Sequence, residues 1–225
     1  MDNYQRQQRT SRILRWIGIL LGIVAVVALL AWMGNQQDKA EEGRRIDTPI
    51  SSADWTKGNP EAQLTLVEYS DFQCPSCATF YPLIEQLMEE YSDRVYFAYR
   101  HFPISNKHPL ADDAAYAAEA AGKQGKFFEM HDLLFERQSA WSSSADPQAL
   151  FESYANEIGL NVDQFKIDAA SDDAVDAVRD DYFGGLRSQV EGTPTFYIND
   201  IALETYPRTY EAFKAIIDAK LAPVE

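Results

Sequence analysis

The chain holds two cysteines, Cys74 and Cys77, three positions apart where a β-rich run gives way to a helical pattern. The run is Leu64-Thr65-Leu66-Val67-Glu68-Tyr69, and from Phe80 to Tyr91 apolar residues recur at helical spacing. A dithiol with two intervening residues can close a disulfide within one helical turn. Its first sulfur then sits at the helix amino terminus, where free N–H groups and the macrodipole favour an anion. Cys74 is therefore expected to have a lowered pKa, and the thiolate is the form that attacks disulfides. Cys77, one turn further in, is expected to be shielded and to act as the resolving thiol. Pro75 suits the first turn, where a missing N–H costs little. Two other readings stay open: half of a zinc site, which would need two further ligands from among His101, His108 and His131, and a purely structural disulfide.

The remaining sequence bounds the setting of this pair. At 225 residues it allows one large domain or two small ones, and 46% hydrophobic content suffices for a globular core. Residues 35–225 hold 16 basic and 34 acidic side chains, a net charge of −18, with no basic stripe to neutralise phosphates. Nucleic acid is thus not expected as a partner. From Trp16 to Met33 run 18 residues without a charge. As a helix they would span roughly 27 Å, close to a bilayer core. Arg6, Arg9, Arg12 and Arg15 precede them, which predicts a cytoplasmic tail over 1–15, an uncleaved transmembrane anchor over 16–33 and export of everything beyond. A cleaved signal peptide is the rival, disfavoured because Ala31-Trp32-Met33 places a large residue where a small one is wanted.

Residues 34–60 look like an extracytoplasmic linker, being polar and carrying Pro49 and the turn signal Gly58-Asn59-Pro60. The folded domain is placed at 61–223. After the helix that carries the cysteines, Val95-Tyr96-Phe97-Ala98-Tyr99 reads as a second strand. A broad helical region then extends to about Gln189, including one segment from Val162 to Leu186. Thr195-Phe196-Tyr197-Ile198 and Ile201-Ala202-Leu203 read as short strands about a tight turn at Asn199-Asp200, and Tyr210 to Leu221 as a closing helix. His131 reads as a packed histidine and His101 as a loop residue.

Three stretches carry a family resemblance: Gly58-Asn59-Pro60-Glu61-Ala62, Val67 through Cys77 (VEYSDFQCPSC), and Glu191-Gly192-Thr193-Pro194-Thr195-Phe196. Arg100-His101-Phe102-Pro103, Gln124-Gly125-Lys126-Phe127-Phe128 and His131-Asp132-Leu133-Leu134-Phe135 agree with them. Together they resemble the DsbA-like branch of the thioredoxin superfamily, over about residues 55–222. The resemblance implies an α/β, thioredoxin-like fold with a helical subdomain, about 106–188, inserted between the second and third strands; the one N-terminal transmembrane helix read from the uncharged run would precede it.

It also implies roles. Cys74 would be the nucleophile and Cys77 the resolving thiol. Thr193 and Pro194, the latter after a cis bond, would present backbone to an extended substrate peptide. Read without the family, Pro194 is equally a strand-start proline. Glu68 matches the family's buried acid beneath the disulfide, where desolvation should raise its pKa and suit it to exchange protons with Cys77; the alternative is an edge-facing strand glutamate. Pro75 and Ser76 fill the dipeptide of the motif. The best-known oxidants of the family have histidine where Ser76 stands, so a less stabilised thiolate and a weaker oxidant are expected.

The combined expectation is a protein thiol-disulfide oxidoreductase at the cell membrane, single-pass, with its catalytic domain in the periplasm or outside the cell. It would act on exported proteins, most readily as an oxidase, with room for a membrane redox partner. No bound cofactor and no metal are called for, because the Cys74/Cys77 pair itself carries two electrons. The alternatives are an isomerase or reductase in the same compartment, and a tethered binding or chaperone module whose disulfide is only structural.

Overall fold

A computed structural model describes Trp16, residues 22–29 and residues 43–222. Residues 22–29 are helical with exposed apolar side chains. Among the described residues no helix is long and apolar enough to cross a membrane. The tail at 1–15, most of the anchor at 16–33 and linker residues 34–42 lie outside them.

From Arg44 onward the chain forms one compact unit. Its sheet contains β1 (Trp55–Gly58), β2 (Leu64–Ser70), β3 (Val95–His101), β4 (Thr195–Ile198) and β5 (Ile201–Ala202), in the order β1-β3-β2-β4-β5. Central β2 runs parallel to β3 and antiparallel to β4, and β1 is antiparallel to β3. Such a strand is covered on both faces, which is why β2 is buried almost throughout.

Helix α1 (Pro75–Tyr91) links β2 to β3. It buries Cys77, Ile84, Leu87, Met88 and Tyr91, a stripe at helical spacing. Because side chains alternate along a strand, Leu66, Glu68 and Ser70 share one face of β2 while Val67 and Tyr69 share the other. The first face lies in the larger core with Cys77 and Phe72; the second packs with Ala98, Phe102 and Tyr197.

Between β3 and β4 come six helices: α2 (Ala111–Lys123), α3 (Phe127–Glu136), α4 (Gln138–Trp141), α5 (Pro147–Glu157), α6 (Val162–Ala169) and α7 (Asp172–Arg187). The chain closes with α8 (Tyr210–Leu221). Alanines 114, 117, 118 and 121 on α2 are buried and let neighbouring helices approach closely. The single helix expected from Val162 to Leu186 is two, because the Ser171 side chain accepts a hydrogen bond from Ala174 N and starts a new helix there.

Two domain expectations need correction. The fold begins near Arg44 and not at residue 61, so the stretch read as a linker over 34–60 contributes β1 and an isolated bridge between Arg45 and Ile201. Gly58 closes β1 at φ +92°, where a Cβ would stand 2.2 Å from Val95 O; the turn signal assigned to a linker is a tightly packed turn of the folded domain. Trp55 stacks on Phe127, 4.7 Å between ring centres, and lies over Gly122, where no side chain would fit. With β1 counted, the helical subdomain is inserted between the third and fourth strands.

Candidate active site

The site forms where β2 ends and α1 begins. Cys74 is the N-cap of α1, with extended backbone at φ −72° and ψ 121°, and Pro75 opens the first turn. The turn leading into it is held by Asp71, which is itself buried. Asp71 Oδ1 accepts from Gln73 N at 2.7 Å, while Oδ2 accepts from Ile104 N at 2.9 Å and lies 2.6 Å from His108 Nδ1. From the helical subdomain, Gln138 Nε2 donates to the carbonyls of Phe72 (2.7 Å) and Cys74 (3.0 Å). The dithiol turn is thus tied to the loop after β3 and to the inserted helices.

Both cysteines are free thiols. Cys74 keeps 7% exposure and Cys77 none, so only the first sulfur can meet a macromolecule. The Thr193–Pro194 bond is cis, and Cys74 Sγ donates to Thr193 O at 3.4 Å. The Cys77 thiol, ahead of the opposing effect of burial, lowers the pKa of Cys74 to about 5; the Thr193 hydroxyl and the N–H groups of Cys77 and Ser76 add to this. Burial pushes Cys77 the other way, well above an ordinary thiol, and the Cys74 sulfur reinforces that. Ser76 therefore acts through its backbone N–H, while its side chain is exposed.

Glu68 lies inside the molecule at 3% exposure, not at a sheet edge, paired with Tyr99 of β3 and Phe196 of β4. Burial raises its pKa to about 7 against a hydrogen bond from Ser70 Oγ at 2.7 Å. The structure adds Ser70 and Tyr99 to the residues that the sequence singles out. Alternation along β2 carried the signal for Ser70, since a position two after a buried acid faces the same core.

His101 ends β3 and is not in a loop: it is buried, with Nε2 2.9 Å from Glu119 Oε1. His131 is buried among aromatic rings, and burial lowers its pKa. Among the described residues one group, Glu85, His131 and Asp132, brings potential metal-ligand atoms within 4.8 Å of one another. It includes neither cysteine, and the Lys57 ammonium already pairs with Glu85.

Comparison with known proteins agrees with this architecture. A solved thioredoxin-like oxidoreductase from Silicibacter pomeroyi superposes with a TM-score of 0.64 at 25% identity, covering 77% of this chain and 95% of that one. The α-DsbA1 protein of Wolbachia pipientis gives 0.67 at 21% identity, covering 77% and 92%. Among curated proteins, a Na(+)/H(+) antiporter NhaA 1 of Salinispora arenicola is 39% identical over 146 residues, which are 65% of this chain and 22% of the antiporter. This chain thus spans about a fifth of the length of that relative. A family profile described as thioredoxin matches residues 51–219, a span that takes in β1, the dithiol, the inserted helices and the cis-proline loop, and the chain belongs to the thioredoxin family.

Proposed function

We propose that this protein is an extracytoplasmic, membrane-tethered thiol-disulfide oxidoreductase that exchanges disulfides with exported proteins through Cys74 and Cys77. The observation that carries the reading is the opposed environment of the two sulfurs: one at a helix N-terminus with a pKa near 5, the other sealed in the core and held protonated. That asymmetry fixes the order of events. A client thiolate attacks Cys74 Sγ of the disulfide, the Cys74–Cys77 bond breaks and Cys77 leaves. The second client thiol then attacks the client sulfur of the mixed disulfide and releases Cys74 as a thiolate.

Because a low-pKa thiol is a good leaving group and stabilises the reduced form, the pair favours passing its disulfide outward, which supports the oxidase direction over isomerase or reductase. Thr193 and Pro194 border the sulfur and offer backbone groups to the client strand. The cysteine pair carries both electrons, so the reaction calls for no bound cofactor. The tether and export rest on the uncharged run at 16–33 behind four arginines.

The test is oxidation of a reduced, unfolded client by the disulfide form, with the dithiol equilibrium against glutathione measured in parallel. Turnover is expected to vanish in Cys74→Ser, and the equilibrium to be more oxidising than that of glutathione. A Cys74→Ser protein that retained its activity would make the domain a binding module instead.

A further inference from the structure

The exchange reaction leaves one proton without an obvious route. When the disulfide opens, Cys77 departs as a thiolate inside the core, and when it closes, Cys77 must lose a proton again. Water has no visible access, since Cys77 and Tyr99 are 0% exposed, Ser70 1% and Glu68 3%, beneath the stacked rings of Phe72 and Tyr99. Glu68 supplies an acid, but the group bonded to it is Ser70, whose hydroxyl lies 2.7 Å from Oε1.

Resting on the oxidoreductase reading, the geometry points to Ser70 as the relay that passes a proton between Glu68 and Cys77. Three features of the fold put it there. Ser70 follows Glu68 by two on β2, so both side chains emerge on the face that α1 covers with Cys77. Its hydroxyl donates to Glu68 Oε1 at 2.7 Å and lies near enough to the buried Cys77 sulfur and the Tyr99 hydroxyl to favour the charged form of each. A hydroxyl carries one donor and two acceptor sites, so it can take a proton on one side while giving one on the other.

As the disulfide opens, Glu68 Oε1–H donates to Ser70 Oγ while Ser70 Oγ–H goes to the Cys77 thiolate. The products are Cys77–SH and a Glu68 carboxylate, and the hydroxyl then turns to donate to that carboxylate, the arrangement of the reduced protein described above. Closure runs the same steps backward. The Tyr99 hydroxyl, buried without a hydrogen-bond partner and within the electrostatic reach of both Glu68 and Cys77, is the spare donor at the cluster. The other titratable groups acting on Glu68 are Lys57 of β1, Glu85 of α1 and Cys74; Asp71 acts on Tyr99.

The decisive measurement starts from full-length protein bearing glutathione on Cys74, and follows release of glutathione as Cys77 attacks Cys74 and the Cys74–glutathione bond breaks. In Ser70→Ala this step should slow by about tenfold or more at pH 7 and lose the limb of its pH profile that tracks Glu68. The Cys74 thiolate titration should stay in place, and Ser70→Thr should restore the rate to within about threefold. A Ser70→Ala protein with wild-type rate and wild-type pH profile would overturn the relay. Should that variant fail to fold, the wild-type rate in mixtures of light and heavy water decides the matter: two protons in flight give a bowed dependence, and a straight line would overturn the relay. Failure of the oxidoreductase reading looks different, for then the wild-type protein would form no mixed disulfide on Cys74.

Discussion

Two buried polar clusters lie on opposite faces of β2, and they are built to opposite standards. On the Tyr69 face, Arg100 spends all five of its donors: on Asp54 Oδ1 (2.5 Å) and Oδ2 (3.1 Å), the Thr48 carbonyl (2.8 Å), the Pro49 carbonyl (3.1 Å) and the Tyr69 hydroxyl (3.0 Å). On the Glu68 face, the carboxyl, Ser70 and Cys77 share few bonds and the Tyr99 hydroxyl has none; the Thr193 hydroxyl beside Cys74 is equally unpartnered. These two hydroxyls are the only side-chain polar atoms among the described residues that are buried without a partner. A finished network holds one arrangement. An unfinished one beside a dithiol keeps donors in reserve for charge that appears only during reaction.

The comparison is broken most forcefully at Arg100. Arg100→Met leaves the Asp54 carboxylate buried with its partner gone, and about 3–5 kcal/mol of stability should be lost in chemical denaturation. Cys74 should titrate as before, because the damage lies across the sheet from it. Adding Asp54→Leu should return much of the loss. If Arg100→Met moved the Cys74 titration substantially, the two faces would be one system and the contrast would fail.

Next in size is Glu68→Gln. The carboxyl has a pKa of about 7 when folded against an ordinary 4.5, so between those values the unfolded chain has shed a proton that the native chain keeps. Native stability therefore falls as pH rises through that window. Denaturation of the reduced protein should show Glu68→Gln more stable than wild type by up to about 3 kcal/mol above pH 7, with the advantage gone below pH 4.5. A gain independent of pH would mean that Glu68 is not ionising where the relay needs it.

How much of this could be read in the sequence follows from how local each feature is. The strand, the turn at Cys74 and the helix beyond it are consecutive, so their patterns sit side by side, and the shielding of Cys77 follows from one helical turn. By contrast, β1 is four residues long, only partly buried, and abuts a glycine turn, so nothing in Trp55-Thr56-Lys57-Gly58 distinguishes an edge strand from a tether until β3 pairs with it. The domain start and the strand count both depend on that pairing. Arg100 draws its acceptors from 46 to 52 residues away as well as from Tyr69, and Thr193 meets Cys74 across 119 residues. Such contacts leave no period in the chain; a family resemblance supplied a role for Thr193, whereas for Arg100 it supplied a matching stretch and no partner.

The finest distinction between the two clusters is drawn at Thr193, because its hydroxyl should matter to the thiolate and hardly at all to the fold. Thr193→Val keeps the volume and the backbone carbonyl that Cys74 contacts, and deletes a hydroxyl whose desolvation no oxygen or nitrogen partner offsets. Below pH 5, where Cys74 is protonated, removal of an unpaired buried hydroxyl should leave stability unchanged or raise it by about 1 kcal/mol. The thiolate, however, loses one of the donors that hold Cys74 near 5, so its ultraviolet titration should move up toward that of an ordinary thiol and alkylation at pH 5 to 6 should slow. The Cys77 thiol remains the larger influence on Cys74, which limits the shift. In the reduced protein the lowered pKa adds stability that is complete above the ordinary thiol range and fades as pH falls through 5, so Thr193→Val should narrow that gain from its acid side. Loss of stability at every pH, with no movement of the titration, would place Thr193 with Arg100 among the groups that only hold the fold.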